Sequence, residues 1–363
     1  MKRSKMSKFK YYLLLITLIF LSVNISNISS FASDADTPYM LELKAKEDYE
    51  TLGFMYYLDK KYELAIDTLN KALISPKATA KEYVYNSLGL AYMDMGKDEE
   101  AISNYLKACE MNPKYSTPYY NMGVYYYQKG DFPKAIENFE KNVELGGEDY
   151  SCSLNYIGII YSNEGLYDKA IDAFKRGIDL GSDNADLFYN LADIYRKQKN
   201  YPLAIQNYEK TLKLTPDDND AKIHLSQSLS ELSIDLVDKG LFNIAIQNIN
   251  KSILLDKNNA INYFLLGDVH SSLRHYDLSI QNYLKALSLC NGNEKLKALI
   301  YDGLALVYSY QGQTDKAIKY YEYSISLCST NKTAYHNLGV LYRKKGLYQL
   351  SNIYFKQEQK LNN

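Results

Sequence analysis

Side chains able to do chemistry are few in this 363-residue chain, and their spacing decides what they can do. The four histidines, His224, His270, His275 and His336, stand singly. Two ligands on one helical face lie three or four residues apart, whereas His270 and His275 are five apart and straddle a helix end. The four cysteines, Cys109, Cys152, Cys290 and Cys328, form no CxxC pair and no Cys/His cluster with zinc spacing. GxSxG, HExxH, P-loop and dinucleotide glycine motifs are all missing. No catalytic residue, no metal and no cofactor is expected. What recurs is tyrosine, with 38 copies against no tryptophan.

The tyrosines return at fixed intervals. One unit runs Tyr85, Leu88, Gly89, Tyr92, Ala101, Tyr105, Ala108, Pro113, at offsets of 3, 4, 7, 16, 20, 23 and 28 from the first residue. The first four share one helical face, as do Ala101, Tyr105 and Ala108. Gly96, Lys97 and Asp98 between them signal a turn, and Pro113 signals a stop. Each unit is therefore a helix, a turn and a second helix. The pattern recurs from Tyr49, Tyr119, Leu154, Phe188, Tyr301 and Tyr335.

This register resembles the tetratricopeptide repeat (TPR) family, whose 34-residue signature is an aromatic, Leu-Gly, Tyr, Ala, an aromatic and Pro. The resemblance covers residues 46–363 as about nine repeats. It implies an all-α fold, a right-handed α-solenoid superhelix of stacked helix-turn-helix hairpins. Gly89 opposite Ala101 lets the two helices of a pair approach, while Tyr92 and Tyr105 fill the space between neighbours.

Two units are longer. From Ala192 to Ser233 the anchors are 41 apart, and Leu225, Leu229, Leu232 and Leu236 carry one apolar stripe through the excess. Seven residues are about two helical turns, so a longer first helix from about Asn219 to Asp238 is expected. From Gly267 to Ala305 the spacing is 38, and Asn291-Gly292-Asn293 suggests a longer loop near 290–295. In the last unit Ser351 and Glu358 replace alanines, as a wettable terminal face would require. Cys290 and Cys328 hold the same place in consecutive units, but stacked helices lie about 8–10 Å apart, beyond disulfide reach. Four free, mostly buried thiols are expected.

The first 32 residues differ from the rest. Lys2, Arg3, Lys5, Lys8 and Lys10 precede an apolar run from Tyr11 to Val23, then a small-residue stretch ending Ser30-Phe31-Ala32. That order is a secretory signal cleaved after Ala32. An uncleaved run would instead tether the chain to a membrane through residues 11–23. Either way the body is placed outside the cytoplasm, secreted or anchored in the cell envelope. Residues 33–45 are expected to be a short linker. Five of the 42 basic residues lie in the first ten positions, so the body is mildly acidic. An acidic body excludes a non-specific nucleic-acid binder.

By the resemblance, the first helix of each pair lines an inner groove. Residues beside the core stripe of those helices are Phe54, Tyr57, Leu90, Met93, Tyr120, Val124, Tyr127, Ile159, Tyr189, Asp193 and Arg196. An aromatic stretch followed by a charged one suits a protein or peptide segment. The lysines of a chaperone-type carboxylate clamp are absent: Glu50, Asn86, Tyr120 and Asn155 stand in their places. The expected function is a non-catalytic adaptor. The tyrosine-rich groove also admits a receptor for a small ligand or glycan, and end-to-end stacking would make a structural oligomer.

Overall fold

A computed structural model describes residues 36–361, so the export segment lies outside the described residues. Among them every regular element is α-helical, with 19 helices and no strand. The chain divides between Pro118 and Tyr119 into two compact units. The first holds α1 (Pro38–Lys46) and two hairpins, α2–α3 (Tyr49–Leu58, Tyr62–Ile74) and α4–α5 (Lys81–Asp94, Asp98–Met111). The second begins within α6 (Thr117–Gln128), which is followed by α7 (Phe132–Glu144), then α8–α9 (Tyr150–Asn163, Tyr167–Asp179) and α10–α11 (Ala185–Lys197, Tyr201–Leu214). It continues with α12–α13 (Asn219–Asp238, Phe242–Leu255) and α14–α15 (Ala260–Ser272, Tyr276–Leu289). It ends with α16–α17 (Glu294–Tyr310, Thr314–Leu327) and α18–α19 (Lys332–Lys344, Tyr348–Lys360). That makes nine consecutive hairpins in chain order.

Close approach within a hairpin has one repeated cause. A Cβ on Gly89 would lie 2.4 Å from the Tyr105 ring, and one on Gly158 2.3 Å from the Phe174 ring. The same holds for Gly53 against Leu69, Gly267 against Tyr283 and Gly339 against Phe355. The glycine thus seats the large residue sixteen positions on, rather than the alanine the sequence analysis set opposite it. At this position Tyr105, Tyr208, Phe139 and Phe174 are at most 1% exposed, whereas Phe355 in the last hairpin is half-buried. Where Ser279 and Ser351 replace the alanine, each hydroxyl donates to the glycine carbonyl, of Gly267 and Gly339, at 2.8 Å.

Ser351 is therefore buried and is not part of a wet end face. Glu358 is half-buried against His336 Nδ1 at 3.1 Å, and the same last helix leaves Tyr348 and Ile353 exposed. A serine is as small as the alanine it replaces, and its hydroxyl finds an internal acceptor, so polarity there does not mean exposure.

The supposed linker is largely helix. Thr37 caps α1, whose Met40 and Leu43 pack against Leu52, Tyr56 and Ala65. Burial of two apolar side chains outweighs the short length of the segment. The long unit at hairpin six has its excess in α12, a 20-residue helix capped by Asp218. The excess at hairpin eight also goes into helix. Only Cys290–Asn293 separates α15 from α16, which runs for 17 residues from an Asn293 cap. No longer loop exists at 290–295, because four extra residues make about one turn and keep Ile300 and Leu304 on the buried side.

Cys109 and Cys290 are buried and Cys152 and Cys328 half-buried, and among the described residues Cys290 and Cys328 are not joined in a disulfide.

Candidate functional site

The positions singled out on the first helices are all half-buried, and each unit presents its own set. In the first unit Phe54 and Tyr57 stack with ring centroids 5.9 Å apart, and Tyr62 lies 6.1 Å beyond Tyr57. Burial, with the Asp94 carboxylate nearby, pushes the Tyr57 phenol up to about 12. Leu90 and Met93 stand half-buried on α4.

In the second unit Tyr120, Val124 and Tyr127 on α6 pack against the core cluster of Phe139, Leu154 and Ile157. The centre of this patch is Tyr156, which the sequence analysis did not single out. Its ring lies flat on Phe139 at 5.0 Å and 3°, 4.9 Å from Tyr127 and 6.5 Å from Tyr120. Tyr156 takes the place where neighbouring units have Asn121 and Asn190, and that break in the pattern was the available signal. Burial raises the phenols of Tyr120 and Tyr156 above the usual range. Ile159 and Tyr189 extend the patch onto the cluster around Phe174, Leu191 and Tyr208.

Polar groups follow on α10, α11 and α12. Tyr208 donates its hydroxyl to Asp193 Oδ1 at 2.5 Å, and Arg196 Nη2 lies 3.4 Å from the same oxygen. His224 Nδ1 lies 3.3 Å from it and 3.0 Å from the Tyr189 hydroxyl. His224 comes from the first turns of the lengthened α12, so the inserted turns bring a fifth side chain to this cluster. Arg196 keeps a buried Nε with no partner. Further along, Asp268 accepts from Tyr283 at 2.5 Å, and burial raises its carboxyl to about 6.

The asparagines are committed. Asn190 donates to Asn155 Oδ1 at 2.8 Å, and Asn337 donates to the Tyr321 hydroxyl at 2.9 Å. His270 faces His275 at 5.8 Å, and His270 Nδ1 is buried without a partner. Among the described residues, no three His, Cys, Asp or Glu side chains gather as a metal site would require. No described helix is long and apolar enough to cross a membrane.

Nine hairpins with a glycine, alanine or serine at one register position invite comparison with known repeats. Tetratricopeptide repeat profiles match residues 114–182, 257–330 and 185–218, and a TPR repeat profile matches 89–130, more than half of the chain in all. The chain belongs to the tetratricopeptide repeat family. A TPR repeat-containing protein of Methanocaldococcus jannaschii is 23% identical to it over 309 residues, 73% of this chain and 53% of that protein. Heat shock protein STI1 of Saccharomyces cerevisiae is 26% identical over 99 residues, 27% of this chain and 17% of that protein. The TPR chain thus spans about half the length of the first relative and a sixth of the second. Among solved structures, MamA covers 47% of this chain and 94% of its own at 30% identity and a TM-score of 0.39. The C-terminal part of a TPR repeat-containing protein from Cytophaga hutchinsonii covers 78% of this chain and 97% of its own, at 18% identity and a TM-score of 0.43. TPR proteins are in general non-catalytic, and this repeat fold is consistent with a protein-interaction scaffold.

Proposed function

We propose that this TPR chain is a non-catalytic adaptor that holds a segment of a partner protein against its first helices, and that it works outside the cytoplasm. The observation that carries the binding reading is the patch of Tyr120, Tyr127 and Tyr156, in which the Tyr156 ring lies 6.5 Å from Tyr120 and 4.9 Å from Tyr127 while each stays half-buried. Aromatic side chains offer large contact area at low cost in conformational entropy, which is why interfaces favour them. Support for export comes from the order of basic, apolar and small residues in positions 1–32.

A benzophenone amino acid placed at Tyr156 of the full chain, in its native cells, tests the binding site. Irradiation is expected to join it to a protein, with no such product from Lys175, an exposed residue of α9. Equal products from both positions would refute the site, and a glycan adduct would favour the receptor reading. Cell fractionation tests the compartment. The body should be extracytoplasmic and should stay inside when residues 1–32 are removed.

A further inference from the structure

The polar side chains of the second unit restrict the form of whatever lies on it. On the faces of hairpins four to six, Asn190 is spent on Asn155, the Tyr189 hydroxyl on His224, and Asp193 on Tyr208, Arg196 and His224. An extended segment laid on these faces would bury backbone N–H and C=O groups beside side chains that, the buried Arg196 Nε aside, are already bonded to one another. Each such unpaired group would weaken binding by roughly five- to a hundredfold. An α-helix satisfies its own backbone and needs only an apolar stripe to match the rings.

The charge is also specific. Asp268 lies on α14 at the same place in its hairpin that Asp193 holds on α10, and its carboxylate accepts from Tyr283. No ion pair reaches it among the described residues, and burial without a cation is what raises its carboxyl. The first helices touch one another in succession from α8 through α10 and α12 to α14. Contacting helices lie about 8–10 Å apart, so three steps separate Tyr156 and Asp268 by at most roughly 24–30 Å, the length of a helix of about 16–20 residues.

We infer that the occupant of the second unit is an amphipathic α-helix of a partner protein, its apolar stripe on Tyr120, Tyr127, Tyr156 and Ile159 and a lysine or arginine near one end facing Asp268. This rests on the binding reading above and adds the conformation and charge of the partner.

The test starts from the segment captured at Tyr156, synthesised as a peptide and bound to the full chain. Amide exchange of the bound peptide should reveal a continuous protected helix. Proline at its centre should weaken binding about 100-fold. Asp268→Asn should weaken binding about tenfold at low salt and much less at high salt. A bound peptide that tolerates proline and exchanges as an extended chain would overturn the helix while leaving the binding site intact. Equal affinity for Asp268→Asn would overturn the charge contact. Failure to capture anything at Tyr156 would sink the binding reading and this inference together.

Discussion

Single residues in this chain are judged by their place in the hairpin more than by their type. The turn between the two helices requires a left-handed residue, and Gly96, Gly130, Gly165 and Gly240 supply it at φ of 71° to 77°. Lys60, Lys199 and Arg274 adopt the same conformation at 60°, 57° and 61°, where a Cβ is disfavoured by about 1–2 kcal/mol. Lys199→Gly should therefore stabilise the protein by roughly 0.5–1 kcal/mol, since the added freedom of the unfolded chain offsets part of the relief. A urea midpoint that falls instead would contradict this account. Asp268 gives a pH signature. Its folded carboxyl titrates at about 6, above an unfolded value of roughly 4, so the folded state holds the extra proton. Its contribution to stability is greatest below pH 4, declines as pH rises through 6, and is a constant penalty above that. Asp268→Asn should flatten the loss between pH 5 and 7 by on the order of 1–2 kcal/mol, read from urea melts across that range. Parallel pH profiles for the two proteins would refute the assignment.

Helices acquire their limits from caps and from what their apolar faces meet. Residues 33–45 look like a lead-in because their sequence carries no repeat signature, yet Met40 is fully buried in α1. Met40→Ala should cost about 2–4 kcal/mol, and hydrogen exchange should locate the loss in hairpin one. Unchanged protection there would show that α1 is a passive extension. The same rule places the extra residues of hairpin eight. Asn291 and Gly292 read as a loop, but with φ of 21° and 79° they only close a short turn before Asn293 starts a longer helix. Turn-forming residues were visible in the sequence. Whether the added residues lengthen the turn or the helix depended on packing against α15 and α17.

At the scale of the second unit, the described first helices from α8 to α14 touch in succession, so stability there is approximately a sum of local terms. The seam between hairpins six and seven is polar: Ser226, Ser230, Ser252 and Asn262 are each at most 4% exposed and are bonded to one another at 2.5 to 3.1 Å. Ser252→Ala leaves the buried Asn262 Nδ2 without its acceptor, at a cost of about 1–3 kcal/mol. Exchange protection should drop around α13 and α14 and stay unchanged around α7 and α8. A uniform drop throughout would mean that the chain unfolds as one cooperative block.

The amino-acid sequence by itself determined the hairpins. A side chain repeating every three or four residues, interrupted by a turn and repeated after 34, leaves few ways to bury its apolar face. Asn219–Asp238 was legible for the same reason, since seven added residues preserve the phase of the stripe. The tertiary structure alone decided which side chains share a surface. Tyr156 and His224 come from different helices than the residues they join, and their neighbours are set by how successive first helices lie together. Sequence periodicity reports the face a residue is on, whereas distances between helices depend on the volumes packed between them, as where Gly158 admits the Phe174 ring.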